Sequence, residues 1–197
     1  MTPARTPAPD LPITLFKDGK AWETWLKKHA ATSRGLWLRL AKKSAALKSL
    51  TYAEALDVAL CHGWIDGQKK SHDQDSWLQK FTPRGPRSIW SRINRSKALE
   101  LIEQGRMRPA GLAAIEVAKV NGRWETAYDS HRTSTLPDDF VKALGRNPKA
   151  KAFFATINGT NRYAILWRIQ TARKPETRQK RIEKFVQMLE DHETLHP

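Results

Sequence analysis

The stretch LTYAEALDVALCHGW, residues 50–64, constrains the fold more than any other part of the chain. Thr51 and Glu54 have the spacing of a capping box, Leu56, Ala59 and Leu60 make one buried face at helical spacing, and Gly63 supplies the stop. A helix is predicted between Thr51 and Gly63. The two runs that follow, GWIDGQKK and SWLQKF, are separated by HDQDS, a cluster of turn formers, and predict a β-hairpin. With the turn centred on Asp73 and Gln74, Lys70 lies opposite Trp77, Gln68 opposite Gln79, and Asp66 opposite Phe81. One face then carries Trp64, Asp66, Trp77 and Phe81. A carboxylate among aromatic rings needs a cation or donors, because an unpaired buried one protonates or destabilises the fold. The arginines of FTPRGPRSIWSRINRSK are expected to answer it.

Upstream, Asp18 caps a predicted helix whose Trp22, Trp25, Leu26 and His29 share a stripe. GLWLRLAKK then alternates Leu36, Leu38 and Leu40 against Trp37, Arg39 and Ala41, as a half-buried strand does. Downstream, a basic helix is predicted from just after Pro86 to Gly105, with Ile89, Trp90 and Ile93 inward and Ser88, Arg92 and Arg95 on another face. A short helix from Pro109 to about Lys119 precedes a linker, TAYDSHRTSTLPDD. The remainder reads as helices broken at Gly145, Pro148, Asn158-Gly159 and Pro175. Phe140, Val141, Leu144, Phe153, Phe154, Ile165, Leu166 and Ile169, with the stripe Ile182, Phe185, Val186 and Leu189, can form a core of their own.

The fold class is therefore α+β, a small antiparallel sheet with packed helices followed by a helical C-terminal domain. The expected division is a disordered leader over 1–11, an α+β domain over 12–110, a connector over 111–135 and the helical domain over 136–193. The leader, MTPARTPAPDLP, has no apolar segment of a signal peptide, and no apolar run approaches the ~20 residues of a membrane span. A cytoplasmic location is expected. The single cysteine, Cys61, agrees with a reducing compartment and excludes an internal disulfide or a cysteine-based metal cluster.

Charge narrows the partners. The chain has 35 Lys and Arg against 20 Asp and Glu, a net +15. The excess lies in residues 1–108 and 146–197, flanking a nearly neutral middle. Such a balance suits an anionic ligand or nucleic acid, or serves solubility alone. No GxGxxG, Walker, HExxH, GxSxG or EF-hand pattern is present, and the six histidines lack ligand spacing, so neither cofactor nor metal is expected. Cys61 and His62 are adjacent on a helix, about 100° apart, and stand where the helix dipole disfavours a thiolate, which makes Cys61 a core residue. The candidate binding cleft lies between the hairpin and the Arg-rich helix, with Trp64, Asp66, Phe81, Arg84, Trp90, Ser91, Arg92, Asn94 and Arg95 as its residues. Asp66 is expected to be a structural clamp held by one of Arg84, Arg87, Arg92 and Arg95, with Asp66→Asn losing on the order of 1 to 3 kcal/mol.

The combination ALCHGWIDGQ, FTPRGPRSIWSRIN and LIEQGRMRPAGLAAIEVAK with GRW resembles the bacterial YdeI/OmpD-associated, or bacteriocin-protection, family over about residues 12–191. RYAILWRIQTARKPETRQKRIEKFVQML resembles that family's C-terminal domain. Residues 63–67, GWIDG, then Phe81 to Arg84, then Trp90, Ser91 and Asn94 match its elements in turn. The resemblance implies a YjbR/frataxin-like N-terminal fold, a role in protection or stress resistance, and a protein partner at the envelope; it brings no catalytic residues. Three classes stay open: a non-enzymatic protection protein with a basic cleft, a nucleic-acid-binding module, and an enzyme acting on a small anionic substrate.

Overall fold

In the computed structural model, residues 10–131 and 133–197 are described. Residues 1–9 of the expected disordered leader lie outside them. The chain forms two compact units, one from residues up to 88 together with 96–124, the other from 89–95 together with 125–197.

The first unit is built on a sheet. Its strands are β1 (Ile13–Thr14), β2 (Leu36–Ala41), β3 (Trp64–Ser71) and β4 (Ser76–Pro83), in the order β1-β2-β4-β3. Helix α1 (Gly19–His29) links β1 to β2, and α2 (Tyr52–Cys61) links β2 to β3. The sheet was expected to be antiparallel. It is mixed, because β1 pairs parallel with β2, a pairing that needs a crossover, and α1 supplies it. Asp18 starts α1 by accepting a hydrogen bond from Ala21 N at 2.8 Å. Trp22 and Leu26 on that helix are fully buried, and the indole donates from Nε1 to Ala55 O at 3.1 Å. Alternation in β2 is as expected: Leu36, Leu38 and Leu40 meet Trp22, Trp64 and Phe81 in the core, while Trp37, Arg39 and Ala41 take the opposite face. The capping box of α2 is complete, with Thr51 N donating to Glu54 Oε2 at 2.7 Å and Glu54 N to Thr51 Oγ1 at 3.2 Å.

At the end of α2, Gly63 has φ +72°, and a side chain there would meet Ala110 O. Helix α4 (Pro109–Val120) passes this close because Gly111 lets its backbone lie against Cys61 O. Residues 111–124 thus fold with the first unit, although 111 was expected to open a connector.

Helix α3 (Arg92–Glu103) starts later than the sequence suggested. Ser91 Oγ accepts from Asn94 N at 3.1 Å, so Ser91 acts as the cap, and Trp90 O and Arg92 N are taken by the backbone of Tyr128 at 3.0 and 2.9 Å. Ser91 and Tyr128 form an isolated parallel bridge there, just before the helix begins. Ile89 and Ile93, expected inward, are 36% and 50% exposed; Trp90 is buried.

The second unit contains α5 (Asp138–Gly145), α6 (Pro148–Thr156), α7 (Gly159–Gln170) and α8 (Pro175–Glu190). Its breaks fall where Gly145, Pro148, Asn158-Gly159 and Pro175 placed them. Phe140, Leu144, Phe154, Ile165, Ile169, Ile182, Phe185 and Leu189 form one core. Val141, expected in it, is 46% exposed. Arg178 on α8 grips Asp139 on α5 with both carboxylate oxygens engaged, at 2.6 and 2.9 Å. No helix among the described residues is long and apolar enough to cross a membrane.

Candidate anion-binding site

The hairpin β3–β4 keeps the predicted pairing of Asp66 with Phe81 and then slips. A bulge between Asp66 and Lys69 places Lys69 opposite Gln79, Lys70 opposite Leu78 and Ser71 opposite Trp77, correcting the expected Gln68–Gln79 and Lys70–Trp77 pairs. Its anchor is the buried Gln79 amide, which donates from Nε2 to Gly67 O at 2.8 Å and to Gln68 O at 3.3 Å. Because side chains alternate across a strand, one inserted residue moves every later lysine to the other face. Lys69 therefore lies over Trp77, 4.5 Å from its ring centre, and Lys70 lies over Trp37 at 4.2 Å on the face opposite the core. Lys80 is 6.0 Å from the same Trp37 ring.

At this end of the sheet Lys42, Lys43, Lys69 and Lys70 line an open concavity of about 610 Å³ with Ala41, Ser71 and Trp77. Of the two acids in the adjoining turn, Asp73 is engaged, accepting from Ser76 Oγ at 2.7 Å, from Asp75 N at 3.0 Å and from Arg39 at 2.8 Å, while Asp75 is exposed and its backbone O accepts from Lys42 N at 2.8 Å. The hydrogen bond from Ser76, ahead of the Asp75 backbone and the Arg39 charge, holds the Asp73 carboxyl below the usual range. Lys42 spends its ammonium on Asp73 O at 2.8 Å. Among the described residues, none of Lys43, Lys69, Lys70 and Lys80 has a carboxylate within ion-pair distance. Two cations elsewhere in this unit are paired with acids, Lys97 with Asp57 at 2.7 Å and Arg108 with Glu23 at 2.6 Å.

The residues expected to line a cleft are distributed otherwise. Trp64 and Phe81 are 1% and 0% exposed and belong to the core, so neither faces a ligand. Asp66 is half-buried and accepts from the Tyr52 hydroxyl at 2.8 Å; its partner is a phenol one helix away, not one of Arg84, Arg87, Arg92 or Arg95. The hairpin directs Asp66 toward the first turn of α2, where Tyr52 stands. Arg84 is half-buried in the first unit, its backbone N donating to Gly63 O at 2.9 Å. Trp90, Ser91, Arg92, Asn94 and Arg95 belong to the second unit. There Trp90 is buried, Ser91 and Asn94 form the cap, and Arg92 meets Asp129 at 3.1 Å, while Arg95 is 4.0 Å from Glu125. Asp129 comes from the expected linker and also accepts from Gln170 at 2.9 Å, a pairing that only tertiary folding reveals.

Cys61 and His62 are both buried, and burial pushes the thiol up and the imidazole down, away from an ionised nucleophile and base. The hairpin lysines, Trp77 and the β2 residue Trp37 were absent from the expected cleft. A signal for them existed: Lys42-Lys43 and Lys69-Lys70 are paired lysines at strand ends, and Trp37 occupies a non-core position of an alternating strand.

Residues 14–114, a little over half of the chain, match a family model described as a domain of unknown function, DUF8412, and residues 133–192 match one described as Bacteriocin-protection, YdeI or OmpD-Associated. The chain is a DUF8412 protein with a YdeI/OmpD-associated C-terminal domain. The DUF8412 region contains the sheet from Thr14 onward and the lysine concavity; the YdeI/OmpD-associated domain contains α5 to α8. The motifs GWIDG and FTPR, which resembled the YdeI/OmpD-associated family, thus fall within the separate DUF8412 model. No curated protein and no solved structure matches the chain.

Proposed function

We propose that this chain is a non-enzymatic cytoplasmic protection protein that works by holding an anionic partner on the lysine-lined end of its sheet. One observation carries the reading: Lys43, Lys69 and Lys70 border a single concavity beside Trp77 with no carboxylate within ion-pair reach among the described residues. Like charges gathered without counter-charge repel one another, and a polyanion relieves that repulsion while releasing its own counterions. The match to a bacteriocin-protection model supports the protective role. Four carboxylates with shifted pKa, Glu23, Glu54, Asp73 and Asp139, are each held low by hydrogen bonds, which suits anchors kept ionised rather than a general base.

Inorganic polyphosphate is a suitable probe, followed by calorimetry at two salt concentrations. Affinity is expected to fall by at least tenfold between ~50 and ~200 mM salt as bound counterions are exchanged. Replacing Lys43, Lys69 and Lys70 together by Ala should weaken binding by at least tenfold and remove protection in cells. The same number of replacements at Lys174, which precedes α8, and at Lys180 and Lys184 on it should leave binding within about twofold. Equal losses from both sets would show that net charge, not this concavity, holds the anion.

A further inference from the structure

The outer face of the sheet has a feature that a simple anion does not require. Alternation in β2 turns Trp37 away from the core, between Leu36 and Leu38, which are both fully buried on the other side. Its indole is half-buried, next to the 50% exposed Ile13 on β1 and opposite Lys80 on β4. Two ammonium groups, of Lys70 and Lys80, stand within 6.0 Å of that one ring. We propose that Trp37 is a stacking platform for a base of single-stranded nucleic acid, with Lys70 and Lys80 meeting the flanking phosphates. The proposal rests on the anion-binding reading above and names the class of its partner.

The chemistry favours this occupant. Lysine stems are flexible, so an ammonium that lies over an indole in the free protein can swing to a phosphate when a base takes the ring face. Every base has a π-face, whereas a bare polyphosphate has none and gains nothing from Trp37. A duplex hides its base faces in its own stack, which restricts the site to single strands or splayed ends. Arg39 on the same face is bound to Asp73 at 2.8 Å and serves the hairpin turn instead. The bulge locked by Gln79 is what brings Lys70 to this face, so the sheet geometry and the cation placement have one cause.

The test uses the full chain with fluorescein-labelled oligo-dT of twelve nucleotides, the matching duplex, inorganic polyphosphate, and vesicles containing anionic lipid. Oligo-dT should quench tryptophan fluorescence and polyphosphate should not. Trp37→Leu should weaken oligo-dT binding roughly tenfold to a hundredfold, with Trp37→Phe restoring most of it and polyphosphate affinity unchanged within about twofold. Thermal melting of each variant checks folding. If Trp37→Leu does not fold, the quench of the wild-type chain and the affinity of Trp37→Phe still decide. Polyphosphate binding without oligo-dT binding, equal affinity for duplex and single strand, vesicle binding in place of oligo-dT binding, or indifference of oligo-dT to Trp37 would each overturn stacking while leaving the anion site standing. Failure to bind polyphosphate as well would remove the anion site itself.

Discussion

His62 closes α2 with its ring buried and its Nε2 without a hydrogen-bond partner among the described residues. Burial lowers its pKa, the nearby Glu23 charge pulls the other way, and Arg108 and Lys27 add to the lowering. The unfolded chain therefore takes up a proton before the folded one does, and the stability present above the ordinary pKa of 6.5 is lost as pH falls through the folded value. Melting temperature should drop between about pH 7 and 5, with a shallower drop in His62→Asn, compared at the same ionic strength. Asp66 gives a second test. Its one side-chain partner among the described residues is the Tyr52 hydroxyl at 2.8 Å, so Asp66→Asn keeps an acceptor and should cost less than ~1 kcal/mol in urea denaturation. A loss approaching 3 kcal/mol would instead restore the arginine clamp expected from the sequence.

Between elements, the bulge of the hairpin is held by one buried amide. Gln79 is 4% exposed and donates to both carbonyls of the bulge. Gln79→Leu keeps the volume and leaves Gly67 O and Gln68 O without that donor, so a loss of about 1–3 kcal/mol is expected. Relaxation of the bulge would also exchange the faces of Lys69 and Lys70, so polyphosphate affinity should fall more than the change in melting predicts. An unaltered affinity would show that the lysines act by charge alone, regardless of face. Helix starts illustrate how legible elements are. Those set by a local side chain, Asp18 for α1 and the Thr51–Glu54 box for α2, could be read directly. The start of α3 could not, because Ser91 becomes the cap only when Tyr128, 37 residues on, takes the backbone of Trp90 and Arg92.

For the whole molecule, the C-terminal core draws all its buried members from residues 140–189. A fragment of residues 136–197 should accordingly fold alone, with a helical far-ultraviolet spectrum and cooperative melting; a disordered spectrum would mean that it depends on the rest of the chain. The helices and the core of this part were legible beforehand, because apolar spacing of 3.6 residues and breaks at Gly, Pro and Asn are properties of neighbours along the chain. So was the β2 alternation, whereas the Asp66–Phe81 pairing came out as expected because the bulge offsets a turn centred half a residue later than expected. The parallel strand β1 was hidden, since two residues carry no period. The bulge was hidden because its anchor, Gln79, lies twelve residues from Gly67 and polar strand residues do not announce which carbonyls they will reach. The candidate site followed the same rule. The sequence by itself determined a basic α+β chain with a hairpin and a helical C-terminal part, since periodicity, capping and charge are local sums. Tertiary structure alone decided that Trp64 and Phe81 are core, that Asp66 answers Tyr52, and that lysines with no ion pair among the described residues gather around Trp37 and Trp77, because burial and ion pairing depend on which distant residues arrive beside them.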